Sequence, residues 1–286
     1  MDTNKKYLVT GISGFLGGEL VRRLVKMGFT NLVGVARNEG NLIMLKEKYP
    51  LIQFITGDIS DPFICDKACK DISGIFHLAA FKFVDLAETQ TRQCVLSNII
   101  GTMNLLEATR KYNHDFILGI STDKAARVNG VYGATKLIVE KLFQEYEKLN
   151  PDTKYRTVRY GNVLYSAGSV LCKWKDKLQK GEEIIVTDLE ATRFYWTVDQ
   201  AVDLIFSCLE NATDAAPQHF PMKAIKMNDL LNAKIEKYAI RSDVHQNCLK
   251  IIGLQKGENL HEIITSDGKD SSQVERYTQK EIMELI

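Results

Sequence analysis

The sequence predicts an α/β protein: a doubly wound parallel sheet of the Rossmann type, joined to a smaller C-terminal substrate region. Three observations predict it. Short runs rich in Val, Ile and Phe alternate with helical patterns through the first half of the 286 residues. Those runs are apolar on both faces, as strands must be when helices cover both sides of a parallel sheet. A glycine-rich turn, "VTGISGFLGGEL", joins the first strand to the first helix, where doubly wound folds hold a dinucleotide.

In chain order, "KYLVTG" reads as a strand and "FLGGELVRRLVKMG" as a helix, its leucines and valines recurring at helical spacing. "NLVGVAR" is a second strand, followed by helix "NLIMLKEKY", which Pro50 stops. "IQFITGDI" and "GIFHLAA" are further strands, "SNIIGTMNLLEATRKY" an amphipathic helix, and "DFILGIST" another buried strand. A helix carrying Tyr132 and Lys136 comes next, then strand "YRTVRYGNV". Beyond about residue 165 the pattern loosens into helix "SVLCKWKDKLQKG", strand "EIIV", the strand-into-helix run "RFYWTVDQAVDLIFSCLE" and helix "MNDLLNAKIEKYA". "QHFPM" is read as a return to the sheet. Residues 1–165 are thus expected to form a dinucleotide-binding domain and 166–286 a substrate-binding region, with about 194–225 returning to the first.

Composition bounds the function. Formal net charge is +1, from 37 basic and 36 acidic residues, which argues against a general electrostatic grip on nucleic acid. No apolar run approaches the roughly 18 residues that span a bilayer, and the strand pattern starts too early to leave room for a signal peptide. A cytoplasmic protein without membrane partners is expected. The six cysteines (65, 69, 94, 172, 208, 248) read as core or surface thiols, because nothing completes a zinc set around Cys65 and Cys69; no metal is expected.

Gly11, Gly14 and Gly17 stand G-x-x-G-x-x-G at the first strand-to-helix turn. Glycines let the backbone turn sharply and approach a pyrophosphate, while the helix N-terminus offers unpaired N–H groups. Ser13, Phe15 and Leu16, on the same turn, are assigned to the cofactor with them. Arg37 and Asn38 end the second strand where an NAD-binding chain usually has a carboxylate, and a guanidinium suits a 2′-phosphate. NADP is therefore expected; the alternative is a solvated Arg37 with Glu39 reaching the ribose. Asp58, with Ile59, ends the third strand where adenine would lie, or merely caps a turn. Ala79 and Ala80, after the fourth strand, complete the cofactor set.

Tyr132 and Lys136 fall at i and i+4 on one helical face. An ammonium beside a phenol lowers its pKa and lets it take a proton from an alcohol as hydride leaves. Just upstream stand an adjacent acid and amine, Asp123 and Lys124, which serve either proton transfer or a plain salt bridge at a strand end.

At this point the chain resembles the extended short-chain dehydrogenase/reductases, and among them the UDP-N-acetylglucosamine 4,6-dehydratases of the capsular-polysaccharide and pseudaminic-acid type. The carriers are "TGISGFLG", "HLAAFKFVDLAE", "NIIGTMNLLEA", "STDKA", "YGATK", "RYGNV" with "GSV", "TRFYWTV" and "KGENLHE", in family order from about residue 7 to residue 262. The resemblance implies oxidation at C4 of the sugar by Tyr132 and NADP⁺, loss of water across C5 and C6, and return of hydride to C6. Oxidation makes the C5 hydrogen α to a carbonyl and so removable. It further implies Asp123 as acid for the C6 oxygen, Lys124 as C5 base, and Thr122 bonded to the C4 oxygen. A lysine at this place resembles the inverting branch, which also epimerises C5. For Lys124 to act as a base its pKa must fall by several units. Lys82, Asn162, Ser169, Val170, Arg193 and Glu258 would line the substrate, with Arg193 and Lys82 alternatively solvated charges. A homo-oligomer is expected.

Three departures stand out. Ala167 replaces an arginine common in the family; Gln255 and Lys256 replace an arginine and a proline, leaving Lys256 or Lys173 to substitute; and the chain ends soon after "LHE". Tyr155 and Trp196 read as core, and His261 and Glu262 as packing or capping residues. The rival readings are a nucleotide-sugar 4-epimerase or 4-reductase, and a non-catalytic NADP-binding regulator.

Overall fold

Seven parallel strands form the main sheet in the computed structural model, in the order β10-β6-β5-β4-β1-β2-β3. The structure describes residues 1–166, 168–239, 249–265 and 268–286, so Ala167 and Cys248 lie outside the described residues. The strands are β1 (Tyr7–Thr10), β2 (Leu32–Ala36), β3 (Gln53–Thr56), β4 (Gly74–His77), β5 (Phe116–Thr122), β6 (Lys154–Tyr160) and β10 (Pro217–Gln218). The chain runs outward from β1 to β3, then crosses back to β4 on the other side of β1. That reversal opens a crevice at the carboxyl ends of the strands, the usual place for a ligand in such sheets.

Helices α1 (Phe15–Lys26), α2 (Glu39–Lys48), α3 (Pro62–Cys69), α4 (Val84–Thr89), α5 (Thr91–Val95), α6 (Gly101–Thr109) and α7 (Val131–Leu149) supply the crossovers. Successive residues of β1 point to opposite faces, so Tyr7 and Val9 join one buried cluster with α1 while Leu8 joins another with α3, α6 and α7. α3 is not evident from periodicity. It rests on local signals instead: Asp61 caps it through the Phe63 N–H and Pro62 opens it. The expected single helix over residues 97–112 is interrupted, because Leu96–Ile100 is a π-helical segment between α5 and α6.

The C-terminal region builds its own core around Leu171, Trp174, Tyr195, Ile225 and Leu230. It contains α8 (Val170–Lys180), α9 (Val198–Asn211), α10 (Met227–Tyr238) and α11 (Gln279–Leu285). β7 (Asn162–Val163), β9 (Thr192–Trp196) and β11 (Ala224–Lys226) form a three-stranded sheet, and β8 (Ile184–Val186) pairs with β12 (Leu249–Ile251). The return expected at "QHFPM" is met one residue early and is short: Pro217 and Gln218 pair with β6. α9 packs on the main sheet's first cluster, through Ala201, Val202 and Ile205. Tyr155 and Trp196 are buried in the core. Among the described residues no helix is long and apolar enough to cross a membrane, and no three His, Cys, Asp or Glu side chains gather to hold a metal.

Candidate active site

The glycine turn sits at the crevice. Gly11 has φ +70, and a side chain there would meet the backbone of Ala79 at 2.7 Å; one at Gly17 would meet the Gly11 carbonyl at 2.4 Å. Gly14 is the N-cap of α1, which has no side-chain cap and no acidic residue in its first turn. An uncapped, uncharged helix start facing the crevice fits a phosphate. Ser13, Phe15 and Leu16 share this turn. Arg37 and Asn38 follow β2, and Asp58 and Ile59 follow β3. Arg37 Nη1 lies 3.6 Å from Asp58 Oδ2, both side chains well exposed. Asn38 caps α2 through the Asn41 N–H, and Asp58 accepts from the Ser60 N–H at 2.9 Å, so turn capping is one role Asp58 has.

A buried network fixes the ends of the inner strands. His77 bonds Thr10 at 2.8 Å and Thr102 at 2.9 Å, and burial pushes its pKa down to about 3, so it stays neutral. Thr10 also accepts from the Ala79 N–H. Asn98, on the π-helical segment, takes the Phe81 N–H at 2.7 Å and donates to the Phe81 carbonyl and to Thr135 on α7. Asn98 is buried on this π-helical segment, a kind of irregularity frequent at functional sites, and no spacing in the sequence announces it.

Thr122 ends β5, and Asp123 and Lys124 open a 3₁₀ turn. The Thr122 hydroxyl donates to Asp123 Oδ1 at 2.8 Å, and the Lys124 N–H and Nζ reach the same oxygen at 2.9 and 3.0 Å. α7 lies directly against this turn because Gly133 has no side chain; a Cβ there would stand 2.4 Å from the Lys124 carbonyl. That approach brings Tyr132 into contact with Thr122 and into the field of Lys124 and Asp123. Lys136 donates to the Ile120 carbonyl at 2.8 Å, and burial lowers its pKa to about 8.

Two expectations need correction. Burial pushes the Tyr132 phenol up to about 12, and the largest pull downward comes from Lys124 rather than from the expected Lys136. Lys124 does not lose its proton readily either. Burial opposes its charge, but Asp123 and Glu262 together outweigh burial and hold the ammonium above its ordinary value. Glu262 Oε1 is 3.5 Å from Lys124 Nζ and 1% exposed, so a residue read as packing stands inside the cluster. His261 keeps the packing role, bonded to Thr192 at 2.9 Å.

The match to a family model covers residues 7–284, described as polysaccharide biosynthesis protein. The chain belongs to that family. An uncharacterized membrane protein of Methanocaldococcus jannaschii is 33% identical over 267 residues, 91% of this chain and 80% of that one. A Campylobacter jejuni protein named UDP-N-acetylglucosamine 4,6-dehydratase (inverting) is 30% identical over 272 residues, 93% of this chain and 79% of its own length. A Rickettsia rickettsii protein named UDP-glucose 4-epimerase is 28% identical, with 93% of this chain and 79% of that one covered. The crystal structure of Pen from Bacillus thuringiensis superposes with TM-score 0.90 at 27% identity, covering 98% of this chain and 96% of that one. A dTDP-glucose 4,6-dehydratase from Streptomyces venezuelae, solved with NAD and TYD bound, shares the fold at TM-score 0.82 and 18% identity, over 98% and 95% of the two chains.

In this member of the polysaccharide biosynthesis protein family the remaining expected residues divide. Arg193 on β9 is buried, not solvated; it donates to the Leu260 carbonyl at 3.0 Å and acts electrostatically on Lys124 and Glu262. Asn162 on β7 bonds Tyr195 beside it. Ser169 and Val170 begin α8. Lys82 follows β4, over the Phe83 ring, with its pKa lowered by burial. Glu258 accepts the Gln255 N–H at 3.0 Å, so its carboxylate serves its own loop. Lys256 pairs with Glu88 at 3.4 Å.

Proposed function

We propose that the chain is a nucleotide-sugar 4,6-dehydratase, acting on UDP-N-acetylglucosamine with epimerisation at C5 and using NADP. The observation that carries the reading is the buried Thr122–Asp123–Lys124 group placed against Tyr132: an acid, an amine and a redox phenol around one point. A 4-epimerase or 4-reductase needs only the last of these. Support comes also from the resemblance of the chain to the inverting Campylobacter enzyme, while the Rickettsia relatives keep the epimerase in contention.

The glycine turn, Arg37 and Lys136 would hold the dinucleotide, which supplies hydride acceptance and return. The chain's own residues do the rest. Tyr132 Oη takes the proton of the sugar 4-hydroxyl, and the Thr122 hydroxyl orients that oxygen. Asp123 is suited to protonate the departing 6-hydroxyl: burial pushes its carboxyl up, against the pull of Lys124. Its Oδ2 is buried with no hydrogen-bond partner among the described residues, which leaves that oxygen free to carry the proton to be given. Lys124 takes the C5 proton in its neutral form, so turnover is expected to rise with pH as the ammonium is lost.

An NMR time course in D₂O with UDP-N-acetylglucosamine and catalytic NADP⁺ tests this. A product lighter by one water, with deuterium at C5 and L-configuration, is expected. A product of unchanged mass would make it an epimerase and sink the dehydratase reading. Replacing Arg37 with Ala should weaken NADP binding and spare NAD; equal losses would overturn the NADP assignment.

A further inference from the structure

Glu262 is a charged group of the site described above that the proposed chemistry does not use. Glu262 lies 138 positions beyond Lys124 in the chain, yet its Oε1 is 3.5 Å from Lys124 Nζ, and both carboxylates touching that ammonium are fully buried. Glu262 is held from three sides. Asn259 donates to Oε2 at 3.1 Å, the Glu262 N–H donates to Ser271 Oγ at 2.9 Å, and the Ser271 N–H returns to the Glu262 carbonyl at 2.8 Å. Ser271 in turn donates to the Thr192 carbonyl on β9. Oε1 itself has no hydrogen-bond partner among the described residues, so Lys124 is the cation it faces at close range. A buried carboxylate fixed this firmly and aimed at one lysine is costly unless the charge is used.

From this geometry we infer that Glu262 is a positioning residue for the acid–base pair: it is the permanent counter-ion of Lys124, and it frees Asp123 to keep its proton. Two carboxylates flank one ammonium, and they are not equivalent. Glu262 also feels Arg193 and the Asn259 amide, which with Lys124 overcome its burial and hold it below the usual carboxylate range. Asp123 has Lys124 and the Thr122 hydroxyl, and burial together with the nearby Glu262 charge keeps it above that range. The groups that face Lys124 are therefore Asp123 on its own turn, Glu262 from the C-terminal segment, Arg193 from β9 and Tyr132 from α7. Without Glu262, Asp123 would have to ionise to neutralise Lys124 and could no longer act as an acid.

The inference rests on the dehydratase reading for its meaning but not for its test. Carbon-13 labelling of lysine side chains lets the Lys124 titration be followed by NMR in the protein without substrate. Glu262→Gln is expected to lower the Lys124 pKa by about one unit or more, the size of effect an opposite charge at this distance exerts. Asp123 also raises Lys124, so Asp123→Asn is expected to lower it in part but to leave it above its ordinary value, because Glu262 remains as the ionised partner; this variant decides the matter even where Glu262→Gln does not fold. Ser271→Ala loosens the same segment without removing charge and should leave the titration in place. An unmoved Lys124 in Glu262→Gln, or a Lys124 that falls to its ordinary value in Asp123→Asn, would overturn the inference. Failure of the wild-type protein to release water from any UDP-sugar would overturn the dehydratase reading and leave these titrations standing. In an active enzyme, Glu262→Gln should also move the alkaline rise of kcat to lower pH, and Glu262→Asp should restore it in part; a loss of kcat with an unmoved profile would mark a merely structural role and count against the inference.

Discussion

Lys136 shows most directly how burial sets chemistry at the level of a single residue. Among the described residues it has no carboxylate in direct contact; it donates to the Ile120 carbonyl, and burial lowers its pKa from 10.5 to about 8. Its folded value lies below its unfolded one, so the unfolded chain binds the proton more tightly. The favourable contribution is complete above about pH 10.5 and is lost as pH falls through about 8. The stability gap between wild type and Lys136→Met should therefore widen in favour of wild type as pH rises from 8 to 10. The change is on the order of 3 kcal/mol at most. Denaturant unfolding of both proteins across that window checks it, and parallel curves would mean that the lysine is not desolvated as described. Tyr132, Lys136 and Asp123 were legible because each belongs to a short local pattern. Glu262 was not. Its partner is 138 positions away in the sequence, and nothing near "LHE" distinguishes a counter-ion from a packing residue. The Lys124 charge state was illegible for the same reason: it depends on a neighbour that only the fold supplies.

At the level of elements, the turn from β1 into α1 separates what a glycine does for packing from what it does for the helix. Gly17 and Gly18 are adjacent in α1, yet a methyl group at Gly17 would stand 2.4 Å from the Gly11 carbonyl and 2.9 Å from that of Ile12, whereas one at Gly18 meets nothing within 4 Å. Gly17→Ala should force α1 away from the strand, costing about 1–3 kcal/mol and weakening dinucleotide binding. Gly18→Ala should raise stability by about 0.5–1 kcal/mol, since alanine loses less backbone freedom in a helix. Thermal melting of the two variants decides; a shift of the same sign in both would refute the account. Elements of the main sheet were readable because strands buried on both faces leave continuous apolar runs such as "FILGIST". α3 was not readable, because its caps rather than an apolar stripe define it, and neither was the π-helical segment, whose added residue leaves the composition of a helix unchanged.

For the whole molecule, the acid–base cluster is a product of docking. Thr122 comes from the main sheet, Asp123 and Lys124 from the turn after it and Tyr132 from α7, while Arg193 comes from the three-stranded sheet and Glu262 from the segment that follows β12. A strap over residues 255–260 ties the two together. Asn129 donates to the Glu258 carbonyl at 2.7 Å, Lys256 pairs with Glu88 at 3.4 Å, and Glu88 itself accepts the Val131 N–H that opens α7. On the far side, Arg193 and the Thr192 N–H both donate to the Leu260 carbonyl. The strap therefore joins the start of the helix that carries Tyr132 to the strand that carries Arg193, with Glu262 just beyond. The sequence indicated two regions but could not indicate this closure, because the ties are single polar groups scattered over loops. If the strap positions the cluster, the double variant Asn129→Ala/Lys256→Ala should bind dinucleotide as wild type does, since the glycine turn lies elsewhere. Its turnover should nevertheless fall on the order of ten-fold, because small misplacements of catalytic groups are expensive in rate. Steady-state kinetics beside a dinucleotide titration make the comparison. Unchanged turnover would show that the strap is passive, and equal loss of binding and turnover would show that it supports the fold as a whole rather than the site.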